Sequence, residues 1–166
     1  GVYTSTNAGS AWTKTSLSDN YWSDIASSAD GTRLAAAAEG DKIYTSTNGG
    51  STWTTTSAPA ALGWYAIASS ADGTRLAAVV NNGGIFISSN GGSTWTLTGA
   101  PYGMRWISIA SSADGMKLAA AVQSGGVIYT SADGGGTWTL TSAPGANWRT
   151  IASSADGTRL AAGVSG

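Results

Sequence analysis

Apolar residues in this chain occur in short runs that are separated by turn-forming dipeptides. Residues 148–154 form one such run, and the Asp156-Gly157 dipeptide that follows is typical of a tight hairpin turn with positive φ. Three further runs are predicted as the second, third and fourth strands of the same pattern: residues 158–162, 42–47 and 52–57. No stretch repeats its apolar residues with a helical period, so we predict an all-β chain without helix.

The four-strand pattern recurs along the whole chain. One series of tryptophans is spaced by 42 residues each time, and a second series by 41 to 43 residues. The first series is Trp22, Trp64, Trp106 and Trp148, and the second is Trp12, Trp53, Trp95 and Trp138. We call residues 22–63 the first unit, 64–105 the second, 106–147 the third, and 148–166 completed by 1–21 the fourth. Four short antiparallel strands in about 42 residues predict a β-propeller blade, so the chain reads as one propeller domain or half of one.

The turn before each tryptophan of the second series follows the pattern S-x-D/N-x-G-x-x-W. Its Asn or Asp side chain can accept bonds from the following backbone N–H groups, and its glycine supplies a left-handed φ. The pattern resembles the Asp-box, or bacterial neuraminidase repeat, of the sialidase-like propeller superfamily. That resemblance implies architectural residues away from any active site: Ser5, Asn7, Gly9, Trp12, Ser46, Asn48, Gly50, Trp53, Ser88, Asn90, Gly92, Trp95, Ser131, Asp133, Gly135 and Trp138.

Composition excludes several classes of function. The 166 residues include no His and no Cys, which rules out the usual zinc sites, Ser-His or Cys-His nucleophiles and disulfides. Eight Lys and Arg against nine Asp and Glu leave no basic surface for nucleic acid or an anionic membrane. We therefore expect no cofactor, no metal, and neither nucleic acid nor membrane as a partner. The low-charge composition, rich in Thr, Ser, Gly and Ala, favours a secreted or cell-surface protein.

Few acidic residues are left for catalysis. Four belong to the Asp-Gly turns (Asp30, Asp72, Asp114 and Asp156), and Asp133 belongs to an Asp-box turn. The remaining acids are Asp19, Asp24, Glu39 and Asp41. Nothing matches, residue by residue, the Tyr–Glu pair and three arginines that the sialidase resemblance would require. We expect no enzymatic activity.

A ring of cations follows the Asp-Gly turns. Its members are Arg33, Arg75, Lys117 and Arg159. Although they invite comparison with a carboxylate-binding arginine triad, their place at hairpin tips argues against it. We expect each to be a solvated cation beside the turn aspartate, with little effect on stability.

Variation among the units points to one candidate binding face. The Asp-Gly turns and Asp-box turns hardly change and are predicted on one face, whereas the links of the opposite face differ from unit to unit. The residues after the first-series tryptophans (Ser23, Tyr65, Ile107 and Arg149) also vary, near the predicted channel mouth. The candidate binding residues are Tyr21, Asp24, Glu39, Asp41, Tyr102, Arg105 and Arg149. The competing interpretation is that these loops drift without constraint.

The leading hypothesis for function is a non-catalytic scaffold or interaction module that binds a protein or a glycan through this face. A glycan-binding lectin that stacks sugars on the repeated tryptophans is the alternative. Two further possibilities are a glycosidase-like remnant that uses the four unassigned acids, and a designed or amplified scaffold without a ligand.

The ends of the chain match each other as neighbouring parts of one unit. Three closures follow: one chain forms a four-bladed ring, two chains form an eight-bladed ring, or the chain is an excerpt from a longer array. Pairing of the ends removes exposed sheet edges. We expect the eight-bladed homodimer.

Overall fold

The computed structural model describes residues 1–165, all of them in short strands, turns and loops without helix. Gly166, the last residue of the predicted fourth unit, lies outside the described residues. The first strands of the units are β3 (Trp22–Ser27), β7 (Trp64–Ser69), β11 (Met104–Ser111) and β15 (Trp148–Ser153). The second strands are β4 (Leu34–Ala38), β8 (Leu76–Gly83), β12 (Leu118–Val122) and β16 (Leu160–Val164). The all-β prediction is confirmed.

The third and fourth strands are shorter. The third strands are β1 (Tyr3–Thr4), β5 (Ile43–Ser46), β9 (Ile85–Ser88) and β13 (Ile128–Ser131). The fourth strands are β2 (Thr13–Lys14), β6 (Thr54–Thr55), β10 (Thr96–Leu97) and β14 (Thr139–Leu140). The prediction of a fourth strand over residues 52–57 was therefore too long. The reason is that the Asn48 side chain, and not the strand ladder, binds the Thr52 N–H at 2.9 Å.

Consecutive strands pair antiparallel and form meanders. The first three units are complete four-stranded meanders, β3 to β6, β7 to β10 and β11 to β14. A short pairing of β8 with β11 joins the second meander to the third. At the two ends of the chain, β15 pairs with β16 and β1 pairs with β2, as two separate two-stranded sheets.

The Asp-Gly hairpins between first and second strands are closed by side-chain bonds. In the second unit, Asp72 Oδ1 accepts the Thr74 N–H at 3.0 Å, and Ser70 Oγ accepts the Arg75 N–H at 3.0 Å. Gly73 has a φ of 70°, as the predicted turn requires. The Ser70 hydroxyl also donates to Asp72 Oδ1, and this bond, followed by those from Thr74, holds the pKa of Asp72 down at about 2.

The hairpins between third and fourth strands are closed by the predicted Asx bond, which Asn48 Oδ1 accepts from the Thr52 N–H, and by further side-chain bonds. Ser46 Oγ accepts the Gly50 N–H at 2.9 Å, and Trp53 Nε1 donates to the Gly50 carbonyl at 3.0 Å. Gly50 has a φ of 89°, and a Cβ placed on it would lie 2.9 Å from the Thr4 methyl carbon. The Gly49 N–H donates to the Thr32 carbonyl at 2.8 Å, so both hairpins of a unit lie on one face, as predicted.

The core lies between neighbouring units, where rows of alanine let the sheets approach closely. The alanines of β4 and β12 are buried, and the indoles of Trp64 and Trp106 are fully buried beside them. Each buried indole meets the aromatic ring of the third strand edge to face, for example Trp64 with Phe86 at 5.2 Å between ring centroids. Burial of such large side chains is the main stabilising contribution to the fold.

The ring of cations makes a contact that the sequence did not predict. The stem of Arg33 lies over Gly73 of the next unit, so that a Cβ on that glycine would approach Arg33 Cβ to 2.6 Å. Arg75 lies over Gly115 in the same way, and Lys117 over Gly157. The long apolar stems cross the boundary between units, because a methylene stem gains contact surface there. Hydroxyl and N–H donors bond the turn aspartates, and the charge of Lys117 also lowers the pKa of Asp114 and Asp156.

Candidate binding site

A β-bulge in each first strand turns one side chain into a common recess. The strand register shifts directly after the tryptophan in all four first strands, between Trp22 and Asp24 in β3 for example. A bulged residue leaves the ladder, which re-aims its side chain. The bulged residues, all of which line the recess, are Ser23, Tyr65, Ile107 and Arg149. These are the four varying residues that the sequence predicted near the channel mouth.

The recess is open, has a volume of about 460 Å³ and carries charges of both signs. Asp24 and Glu39 reach it from the first unit and Arg149 from the fourth. Its remaining lining residues are Ala66, Ser108 and Thr150. Of the seven predicted binding residues, the structure thus brings three together in one place.

Arg149 and Tyr65 approach each other across the third unit. Arg149 Nη1 lies 3.5 Å from Tyr65 Oη, at the outer limit of a hydrogen bond, and the two residues are 84 positions apart in sequence. Arg149 is exposed and Tyr65 is half-buried. A weak bond at this distance leaves the guanidinium free to bind a stronger acceptor such as a carboxylate.

Asp24 has the most unusual environment of the acidic residues. Its Oδ2 accepts the backbone N–H of Ile67 in the next unit at 2.9 Å, and its Oδ1 accepts the N–H of Ile25 at 2.8 Å. Burial raises the pKa of Asp24 above its ordinary value, against the lowering effect of these two bonds. Asp24 therefore joins the recess to the boundary between the first two units.

Asp41 accepts hydrogen bonds from neighbouring side chains and does not line the recess. Its Oδ2 accepts a bond from Asn20 Nδ2 at 2.6 Å and another from Tyr44 Oη at 2.9 Å. The bond to Asp41 raises the pKa of Tyr44 above its ordinary value. Both bonds are accepted by Oδ2, and Asp41 does not line the charged recess.

The other three predicted binding residues lie on the loop face outside the recess lining. Tyr21 and Tyr102 are among the most exposed aromatic residues, and the Tyr102 ring lies against Gly84. Arg105 Nη1 donates to Ser124 Oγ at 3.1 Å. None of the three lines the charged recess.

The remaining acids are engaged in turns or near the N-terminus. Asp19 pairs with the N-terminal amine at 2.8 Å and with Lys14 Nζ at 3.0 Å. These bonds, that of the amine first, lower the pKa of Asp19 to about 2. The pKa is also lowered, mainly by hydroxyl and backbone N–H donors, in the turn residues Asp30, Asp72, Asp114, Asp133 and Asp156.

Sequence reasoning missed Ala66, Ser108 and Thr150 as recess residues. They occupy the position of Asp24 in their own units, two residues after the first-series tryptophan. Their signal was the change of chemistry at one fixed position of an otherwise regular repeat. In residues 1–165, no three His, Cys, Asp or Glu residues are grouped as metal ligands, and no helix is long and apolar enough to cross a membrane.

Comparison with known proteins gives structural matches alone. No protein-family model and no curated protein sequence matches the chain. An ancestral GH74 enzyme is similar with a TM-score of 0.68 at 18% identity, over 91% of this chain and 21% of its own. YCF48 bound to D1 peptide matches with a TM-score of 0.60 at 16% identity, over 82% of this chain and 49% of its own.

The computationally designed Ika4 protein is a third structural neighbour, with a TM-score of 0.66 at 10% identity, over 92% of this chain and 96% of its own. The chain spans about a fifth of the length of the GH74 enzyme and about half that of YCF48. These neighbours are propeller-type proteins at low identity, so what they share with this chain is the fold. The chain has a β-propeller-like fold.

Proposed function

We propose that the chain is a non-catalytic interaction module that binds a segment of another protein in the charged recess. The observation that carries this proposal is the placement of opposite charges in one open cavity, Asp24 and Glu39 against Arg149. A peptide with neighbouring acidic and basic side chains matches both signs, whereas a neutral glycan offers no counter-charge. YCF48, a neighbour of similar fold, was solved bound to D1 peptide, which supports peptide binding by this kind of fold.

For the architecture, we propose that each unit of about 42 residues is one blade and that its outer hairpin, the one between the third and fourth strands, is an Asp-box. The support is that equivalent bonds recur in all four outer hairpins. The Ser hydroxyl accepts the glycine N–H in each of them, at 2.9 or 3.0 Å. Four copies of one bonding pattern in register favour a common origin within the sialidase-like superfamily.

The lack of catalysis is proposed because most carboxylates already have partners within the protein. Asp41 accepts two side-chain bonds, Asp19 is ion-paired, and five further acids close hairpins. The lectin alternative loses support at Trp64 and Trp106 of the first series, since their indoles are fully buried and present no face to a sugar.

A second candidate, a glycoside hydrolase, is favoured by one specific observation. Asp24 and Glu39 line the same recess, and burial raises the pKa of Asp24, as a general acid requires. Release of reducing sugar from β-glucans, xyloglucan included, would support this candidate if Asp24→Asn and Glu39→Gln each abolished it. Absence of hydrolysis by the unmodified chain disposes of it.

The proposed function is tested by selecting peptides on the purified chain from a random display library. We expect enriched peptides with adjacent acidic and basic residues, and binding about tenfold weaker in Arg149→Gln, a loss of roughly 1.4 kcal/mol. The matched control is Arg33→Gln, which removes an exposed guanidinium on the opposite, hairpin face of the chain. A glycan array run in parallel tests the lectin alternative. Failure to enrich any peptide, or equal binding by the Arg149→Gln variant, would overturn the proposal.

A further inference from the structure

The two ends of the chain carry complementary halves of one four-stranded unit. β15 and β16 are a first and a second strand, and β1 and β2 are a third and a fourth strand. In the three complete units the second strand pairs with the third in one register, for example Leu118 with Ser131. The same register would place Leu160 opposite Ser5, Ala161 opposite Thr4, Ala162 opposite Tyr3 and Gly163 opposite Val2.

We propose that β16 of one copy pairs with β1 of a second copy in this register, and that two copies close a ring of eight units. This inference concerns assembly and does not depend on the proposed peptide binding. It rests on several contacts that recur within the units or between neighbouring units of the chain and lack their last member at its ends.

The edge-to-face aromatic pair is the first recurring contact. Trp22 with Tyr44, Trp64 with Phe86 and Trp106 with Tyr129 have ring centroids 5.5, 5.2 and 5.6 Å apart. The fourth pair would be Trp148 with the partner copy's Tyr3. Tyr3 is 52% exposed in the single chain, so its ring is available for this contact.

The second recurring contact is a backbone hydrogen bond between neighbouring Asp-Gly hairpins. The N–H of Ala29 donates to the carbonyl of Ala71, that of Ala71 to Ala113, and that of Ala113 to Ala155, at 2.7 to 2.8 Å. The next member of this series would run from the Ala155 N–H to the carbonyl of Ala29 in the second copy.

The third recurring contact is made by the cation whose stem lies over a glycine of the next unit. Arg33, Arg75 and Lys117 lie over Gly73, Gly115 and Gly157, respectively. Arg159 is the next cation of the ring and is exposed. Among the described residues, Gly31 has no atom within 4 Å of an added Cβ, and this is the space that the Arg159 stem of a second copy would fill.

Exposed apolar surface lies on both sides of the proposed joint, by which we mean the contact between the C-terminal end of one copy and the N-terminal end of the other. Ile25 is 47% exposed, whereas its counterpart Ile67 in the next unit is 4% exposed. At the other end of the chain, Leu160 is 44% exposed, whereas its counterpart Leu118 is 4% exposed. A second copy that repeats the internal boundary would bury both residues, which is favourable at about 25 cal/mol per Å² of apolar surface.

A second copy of the chain is the partner that covers these ends, because the surface at one end of the chain is complementary to the surface at the other end. With two copies related by a twofold axis, each end of one chain meets the opposite end of its partner, and both edges are covered. In the structure β1 to β2 and β15 to β16 remain separate sheets, which leaves both edges open to a partner.

Two measurements test the joint on the 166-residue chain. Light scattering after size-exclusion chromatography should give twice the 16.5 kDa of one chain. Ala162→Glu should halve that mass and keep the β-sheet circular dichroism, because Ala162 is exposed in the single chain whereas its counterparts Ala78 and Ala120 are fully buried. The control Ala60→Glu, at an exposed loop alanine away from the joint, should leave the mass unchanged.

Cysteine pairing tests the register and the partner together, since the chain has no cysteine of its own. Opposite residues of antiparallel strands lie within disulfide distance, so Thr4→Cys with Ala161→Cys should give a covalent dimer on a non-reducing gel. The off-register pair Tyr3→Cys with Ala161→Cys should remain uncrosslinked. A monomeric mass, or a disulfide formed within a single chain, would overturn the proposal, as would a dimer that crosslinks equally with both pairs.

Discussion

The carboxylate of Asp24 accepts the backbone N–H of Ile67 at 2.9 Å and thereby ties the first unit to the second. Ser108 makes the equivalent contact with the N–H of Ile151 at 3.1 Å between the third and fourth units. Ala66, at the same position in the second unit, has no side-chain oxygen to offer. One position of the repeat therefore supplies both an inner wall of the recess and a bond between units.

Removal of the Asp24 side-chain oxygens should destabilise the chain. Asp24→Ala leaves the buried Ile67 N–H without its acceptor, which costs about 1–3 kcal/mol of unfolding free energy. Asp24→Ser should cost less because it keeps an oxygen, as Ser108 does at the equivalent boundary. Urea titration of the three proteins measures the difference. Equal stability of the Ala and Ser variants would show that the bond contributes nothing.

Acid should destabilise the fold through the hairpin aspartates. The pKa of Asp72 is lowered to about 2 from 3.8, so its contribution is present above pH 3.8 and is lost as the pH falls towards 2. The pKa values of Asp30, Asp133 and Asp156 are also about 2. We expect the melting temperature, measured by circular dichroism, to fall as the pH is lowered from about 4 to about 2.

Titration of Asp24 should change the stability with pH in the opposite direction to that of the hairpin aspartates. Burial raises its pKa, so its stabilising contribution is largest below its unfolded pKa and is lost as the pH rises through the folded value. Asp24→Asn should therefore make the acid-induced loss of stability steeper, whereas Asp72→Asn should make it shallower. The same slope in both variants would contradict this assignment of the titrating groups.

The repeat made the local structure predictable because each turn depends on residues close together in sequence. The Asp72-Gly73 hairpin and the Asn48 turn follow from side chains that bond backbone groups within a few positions. The boundaries between units were not predictable in this way. That Arg33 lies over Gly73 depends on how two sheets pack, which no local pattern encodes.

The binding site was predictable only in part for the same reason. Variation after the first-series tryptophans pointed to Tyr65 and Arg149, and the bulges explain why these side chains converge. The role of Asp41 was not evident, because its partners Asn20 and Tyr44 are brought to it by the loops of the fold. Residue type marks a carboxylate as available, but packing decides whether it is already bonded.

The glycines of the outer hairpins should not tolerate a side chain. Gly92 has a φ of 90°, and a Cβ on it would lie 2.9 Å from the Thr56 methyl carbon of the preceding unit. We expect Gly92→Ala to cost about 1–2 kcal/mol for the left-handed backbone alone, and more for the clash. Gly99→Ala is the matched control, because among the described residues nothing lies within 4 Å of its added Cβ. Comparable melting temperatures for the two variants would argue against the turn geometry.

Trp106 of the first series and Trp12 of the second should differ sharply in their effect on stability. Trp106 is fully buried and packs edge to face on Tyr129, whereas Trp12 is 63% exposed at the N-terminal end of the chain. Trp106→Phe should open a cavity, because the phenyl ring is smaller than indole and the packed alanines around it collapse only partly; we expect a cost of about 2–3 kcal/mol. Trp12→Phe should stay within about 0.5 kcal/mol, as is usual for exposed positions. Urea unfolding at a protein concentration that keeps the chain monomeric separates this effect from assembly. If Trp12→Phe proved as costly as Trp106→Phe under those conditions, the packing described for the first series would not be what stabilises the fold.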